Sequence, residues 1–335
     1  IHRAAQAGHA NIVEVLLQAG VVVNAEVGTE ERTPLSWASG NGHADVVDQL
    51  LEKGADVNAK PTGIHGRTAL QAASDGGHLA VVDRLLEKGA DVNAEPAHYD
   101  GRTALQAASG GGHLAAVDRL LEKGADVNAE PAHYDGRTAL QAASDGGHLA
   151  VVDRLLEKGA DVNAEPAHYD GRTALQAASD GGHLAVVDRL LEKGADVNAE
   201  PAHYDGRTAL QAASDGGHLA VVDRLLEKGA DVNAEPAGIH GRTALQAASD
   251  GGHLAVVDRL LEKGADVNAE PAHYDGRTAL QAASDGGHLA VVDRLLEKGA
   301  DVNAEPAHYD GRTALQAASD GGYLAVMERL RRAGA

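Results

Sequence analysis

The chain has 335 residues, no cysteine, and 50 acidic against 29 basic residues, for a formal net charge of −21. These numbers exclude disulfides and zinc–thiolate sites, and they make nucleic-acid phosphates and anionic membrane surfaces unsuitable partners. No apolar run approaches the ~20 residues of a membrane span, so the chain reads as intracellular and cytoplasmic, with an acidity that steers basic partners towards it.

Residues 1–65 form the divergent start. Ile1-His2-Arg3-Ala4-Ala5 fits a repeat whose opening turn is missing, as if cut from something longer. The loop from Ala25 to Glu31 is one residue shorter than later loops and lacks proline. Trp37, the one tryptophan, stands where a later copy has Ala142.

Residues 66–310 are nearly uniform. A stretch of 35 residues recurs almost letter for letter, with copies opening at Gly101, Gly136, Gly171, Gly206, Gly241, Gly276 and Gly311. A Gly-His pair marks His9, His43, His78, His113, His148, His183, His218, His253 and His288, and Tyr323 takes its place last, which makes ten repeats. A fixed period of this length is the mark of a solenoid. One array over 1–335 therefore replaces the two domains that length alone suggests.

Within the copy Gly136–Asp170, Thr138 is placed to cap a short alanine-rich helix over Ala139–Ser144. Asp145-Gly146-Gly147 breaks it. The spacing of Leu149, Val152, Leu155 and Leu156 predicts a second, amphipathic helix from about His148 to Lys158, stopped by Gly159. Asn163 to Asp170 then form a polar, hairpin-like loop that holds Pro166. So short a piece cannot bury a core alone and needs its neighbours. Asp153 is placed to meet Arg119 or Arg189 across the stack, against a simpler reading of a solvated outer face.

Residues 311–335 close the array differently. Arg331 replaces the second leucine of the Leu155-Leu156 pair, Arg332 replaces Glu157 and Met327 replaces Val152. A face that is apolar elsewhere turns polar, as a C-terminal capping repeat requires.

Thr138, Leu140, Ala143, Gly147, His148, Val152, Leu155, Leu156 and the run Gly159-Ala160-Asp161-Val162-Asn163-Ala164 carry a resemblance. Over its whole length the chain resembles the ankyrin repeat family, and in its uniformity the ankyrin arrays of large fungal proteins. Ala139 and Gln141 depart from the family's Pro and His, and the period exceeds the usual 33 by two residues, placed in the loop. The resemblance implies an all-α solenoid of helix-turn-helix units joined by long hairpin-like loops. It also implies a concave binding face lined by loop tips and the ends of first helices. Mapped onto this sequence, that face holds Tyr99, Asp100, Arg102, Tyr134, Asp135, Arg137, Asp145, Tyr169, Asp170, Arg172, Tyr204 and Asp205, with Glu165 beside them.

Catalysis has a weak case. A catalytic site is needed once, with a nucleophile and an orienting group, whereas the Gly-His histidine repeats in one context and reads as a structural ring bonded to backbone. His133 and Asp135 recur at each tip, but neighbouring loops about 10 Å apart do not close a four-ligand site, so no metal or cofactor is expected. The tip tyrosines have two readings, as packing against one another or as interface anchors. The tips also vary: His-Tyr-Asp becomes Gly-Ile-His at Ile64 and Ile239. The sequence therefore points to a non-enzymatic protein-binding module for a partner with a basic surface. A self-associating scaffold is the alternative.

Overall fold

The computed structural model describes residues 1–25, 32–60, 66–97, 101–132, 136–166, 171–202, 206–235, 237, 241–272, 276–307 and 311–335. The chain divides into two compact units, Ile1–Gly171 and Arg172–Ala335. Among the described residues each is built of five helix pairs and contains no β-strand. The first unit holds α1 (His2–Gln6) and α2 (Ala10–Gln18), α3 (Pro34–Gly40) and α4 (Ala44–Glu52), α5 (Ala69–Asp75) and α6 (Leu79–Glu87), α7 (Ala104–Gly110) and α8 (Leu114–Glu122), and α9 (Ala139–Asp145) and α10 (Leu149–Glu157). The second holds α11 (Ala174–Asp180) and α12 (Leu184–Glu192), α13 (Ala209–Asp215) and α14 (Leu219–Glu227), α15 (Ala244–Asp250) and α16 (Leu254–Glu262), α17 (Ala279–Asp285) and α18 (Leu289–Glu297), and α19 (Ala314–Asp320) and α20 (Leu324–Ala333).

The start of α9 shows why two turns of mostly alanine hold as a helix. Thr138 Oγ1 accepts the Gln141 N–H at 3.2 Å, and Gln141 Oε1 accepts the Thr138 N–H at 2.9 Å. This reciprocal capping box satisfies donors that a helix start otherwise leaves open. Gln141 Nε2 then donates to the Ala164 and Glu165 carbonyls at 3.1 and 3.2 Å. The residue that departs from the family pattern thus ties the helix to the outgoing loop of its own repeat. The helix runs one residue further than the sequence suggests, to Asp145.

Small side chains let first helices pack closely on the next first helix, α3 on α5 on α7 on α9 in the first unit and α11 through α19 in the second. The second helix is anchored differently from expectation. Val151, Val152 and Leu155 are fully buried, while Leu149 and Leu156 are only half-buried. The buried face is therefore centred one residue away from the expected stripe. The helix itself spans Leu149–Glu157, with His148 as an N-cap that makes no side-chain cap bond. Gly147 and Gly159 take φ of +68° and +87°, the left-handed geometry that turns the chain at each helix junction.

Two polar ladders join repeat to repeat. His148 Nε2 donates to the Gly110 carbonyl of the preceding repeat at 3.1 Å. His113 does the same to Asp75 at 3.1 Å, and His253 to Asp215 at 3.0 Å. On the loop side, Asn128 Nδ2 donates to the Gly159 carbonyl at 3.1 Å, and its Oδ1 accepts the Asp161 N–H at 2.9 Å. Asn93 and Asn233 repeat this bridge to Gly124 and Gly264. The histidines thus serve as the structural rings that their repetition suggested.

Candidate functional site

The tip residues Tyr99, Asp100, Tyr134, Asp135, Tyr169, Asp170, Tyr204 and Asp205 lie outside the described residues, as do His133, His168 and the variant tips at Ile64 and Ile239. The rest of the expected face is described. Arg102, Arg137 and Arg172 each stand just before a capping threonine and are exposed, and Asp145 closes α9 half-buried.

A two-turn helix spans about 10 Å, so an arginine before its start reaches an aspartate at its end. Arg137 meets Asp145 at 2.7 Å and Arg172 meets Asp180 at 2.8 Å. Arg67–Asp75, Arg207–Asp215, Arg242–Asp250, Arg277–Asp285 and Arg312–Asp320 repeat the pairing at 2.6–3.2 Å. In the second unit Asp180, Asp215, Asp250 and Asp285 also face the next repeat's arginine, more distantly: Arg207–Asp180, Arg242–Asp215 and Arg312–Asp285 at 3.7 Å, Arg277–Asp250 at 3.3 Å. The result, within each unit, is a row of alternating charges along the surface of the first helices. Arg102 departs from it. Its first helix, α7, ends in Gly110, and its ion pair is the distant one, to Asp75 at 3.8 Å.

Between successive first helices the row borders shallow polar hollows. One of about 250 Å³ is lined by Gly206, Arg207, Gln211, Asp215, Gly241, Arg242 and Ala247. A second, of about 240 Å³, uses the equivalent residues Gly276, Arg277, Gln281, Asp285, Gly311, Arg312 and Ala317. Their floors are charged and hydrogen-bonded, not apolar, which suits side-chain recognition better than an oily ligand.

The second helices carry another row. Arg84 pairs with Asp48 at 2.8 Å, Arg154 with Asp118 at 2.8 Å, Arg224 with Asp188 at 2.8 Å and Arg294 with Asp258 at 3.1 Å. Each arginine therefore reaches back to the preceding repeat, which gives the cross-stack pairing its direction. The hydrogen bond that Arg84 donates to Asp48, and then the carboxylate's charge, raise the Arg84 guanidinium above its ordinary value. Asp83 acts likewise on Arg119, and Asp223 on Arg259.

Sequence reasoning singled out Asp145 but not its equivalents Asp75, Asp180, Asp215, Asp250 and Asp285, nor the pairing that joins them to the arginines. An i, i+8 spacing is not a helical-neighbour spacing, so the pattern carried no signal until the capping threonine was seen to set the arginine outside the helix. Among the described residues no group of three or more His, Asp or Glu side chains is placed to hold a metal ion, and no helix is long and apolar enough to cross a membrane.

Comparison with known proteins follows the same lines. Overlapping matches to the family model described as ankyrin repeats (3 copies) cover residues 1–61, 60–131, 93–166, 129–201, 164–236, 199–271, 234–306 and 269–335. The crystal structure of the human ASB11 ankyrin repeat domain is similar to the chain at 28% identity and a TM-score of 0.56, over 72% of this chain and 100% of that one. The search of curated proteins gave no significant match.

Proposed function

The chain belongs to the ankyrin repeat family, whose members are generally protein-interaction modules and typically non-catalytic, and from that premise we propose that it binds a protein partner through the face made by its loop tips and first helices. The observation that carries the reading is the row of half-buried to exposed arginine–aspartate pairs, mounted on first helices whose remaining residues are almost all buried. Rigid helices that display charged groups at a fixed spacing make a surface suited to recognition. Along the sequence the tip residues change identity while Gly66 and Thr68 do not, as side chains do when they meet a partner and not a core. The net charge of −21 favours a partner with a basic surface and an association that slows with salt.

The test is to replace Tyr134, Asp135, Tyr169, Asp170, Tyr204 and Asp205 together by Ala and Ser. The expected result is an unchanged melting temperature with loss of a partner that the native chain captures. Unchanged capture, or early melting, rejects the assignment.

A second reading is a self-associating scaffold. It draws on Ile12, Val15 and Val22, which are 51%, 63% and 66% exposed at one end of the chain, and on Leu324, 76% exposed near the other. We propose that residues 311–335 cap the second unit against such association, because Arg331 and Arg332 stand exposed near the end of α20, the helix that begins at Leu324. Replacing them, as Arg331→Leu with Arg332→Glu, should raise the mass measured by light scattering at high concentration. A folded variant of unchanged mass argues against the cap.

A further inference from the structure

The charge row contains a template for its own ligand. In the second unit Asp180, Asp215, Asp250 and Asp285 each sit between the arginine of their own repeat and the arginine of the next, as Asp215 does at 2.8 Å from Arg207 and 3.7 Å from Arg242. In the first unit the equivalent of Asp215 between Arg102 and Arg137 is Gly110. Among the described residues, Arg102 therefore lacks the short partner that the other arginines of the row from Arg67 onward possess, and Arg137 keeps its own partner Asp145 at 2.7 Å but lacks the distant one.

The place is open and not filled by repacking. A Cβ added at Gly110 would meet only the Ala142 Cβ at 3.5 Å and an Arg102 Nη1 at 3.8 Å, both ordinary contacts. The backbone there is helical, at the end of α7, so at this position the repeat differs from its sisters only by the missing side chain. By analogy with Asp215, which lies between Arg207 and Arg242, a carboxylate at this position would stand between the exposed guanidiniums of Arg102 and Arg137. Planar guanidinium donors match carboxylates well and cannot lose their charge near neutral pH. The other break in the row, at Gly40, is different. There Arg32 stacks on the Trp37 ring at 4.7 Å, and a Cβ would stand 3.3 Å from that of Ala72.

We propose that Gly110, Arg102 and Arg137 form a docking point for a carboxylate side chain, Asp or Glu, presented by the protein partner. The proposal rests on the reading of the first-helix face as the binding face, and it adds a register. A partner that is basic overall places one acidic residue at this repeat. The charge row of the near-identical repeats is thereby marked at Gly110. A marked step addresses a weakness of repeated surfaces, since identical sites permit a partner to slide by one repeat, whereas one unlike site fixes it.

The test uses the full chain and a labelled peptide, Lys-Gly-Asp-Gly-Lys, against its Asn counterpart, with binding read by fluorescence anisotropy. The two lysines supply a background attraction to the acidic protein that is the same in both peptides. The native chain should prefer the Asp peptide about fivefold, the range of a partly exposed ion pair. Gly110→Asp fills the gap with the residue its sister repeats carry, so it should fold normally and abolish the preference. Arg102→Gln should weaken it. Asp215→Gly, which opens the same gap between Arg207 and Arg242, should add a second Asp-dependent site. A native chain with no preference, a preference that survives Gly110→Asp or is untouched by Arg102→Gln, or an Asp215→Gly chain that gains no site overturns the proposal. The loop-tip replacement reads the whole face, while the Asp-to-Asn contrast reads Gly110 alone, so one can fail without the other.

Discussion

Leu120→Ala will destabilise the fold by about 3 kcal/mol, and Leu121→Ala by about 1 kcal/mol or less. The two leucines are adjacent on α8 and correspond to Leu155 and Leu156 in the following repeat. Leu120 is fully buried, and Leu121 is half-buried. Removing the buried side chain forfeits its transfer free energy and leaves a cavity among Ala116, Val117 and the neighbouring helix pairs, which close packing prevents from collapsing fully. The half-buried one leaves space that water can enter. Urea denaturation of both variants measures the difference. Equal costs would mean that the sequence-based stripe, with both leucines on one face, describes the helix better than the structure does.

That stripe shows what was legible and what was not. The 35-residue period, the Thr cap, the glycine stops and the pairing of helices were all readable, because each depends on local backbone chemistry repeated many times. The burial of Val151 was not. Val151 lies beside the Leu149–Val152–Leu155 spacing, and which side of a short helix is buried depends on where neighbouring repeats press. The same limit applied to the face. Arg102 and Arg137 were readable as exposed residues, and Gly110 as a substitution for Asp145. That the glycine empties a place between two guanidiniums is a fact of three repeats in space. The Asn128 bridge to Gly159, 31 residues on, belongs to the same class of non-local information.

Gly112→Ala should cost about 3 kcal/mol, whereas Gly124→Ala, chemically the same change 12 residues later, should cost about 1 kcal/mol. Both glycines have left-handed backbone, with φ of +71° and +86°. An alanine in that region is strained by roughly 1–2 kcal/mol, and this penalty applies to both. Their surroundings differ. A Cβ at Gly124 meets nothing within 4 Å, but at Gly112 it falls 2.5 Å from His148 Nδ1 and 2.6 Å from Cε1. The imidazole of the next repeat must move, and it then loses its bond to the Gly110 carbonyl, one rung of the histidine ladder. A lost hydrogen bond of this kind contributes about 1 kcal/mol, and the displaced ring disturbs packing besides. His148→Ala separates the two causes. Alone it removes the rung, but combined with Gly112→Ala it also removes the clash, so the pair should cost less than the sum of the single changes. Additive costs would place the whole penalty of Gly112→Ala in its backbone, and the close approach of glycine and histidine would then have no part in holding successive repeats together.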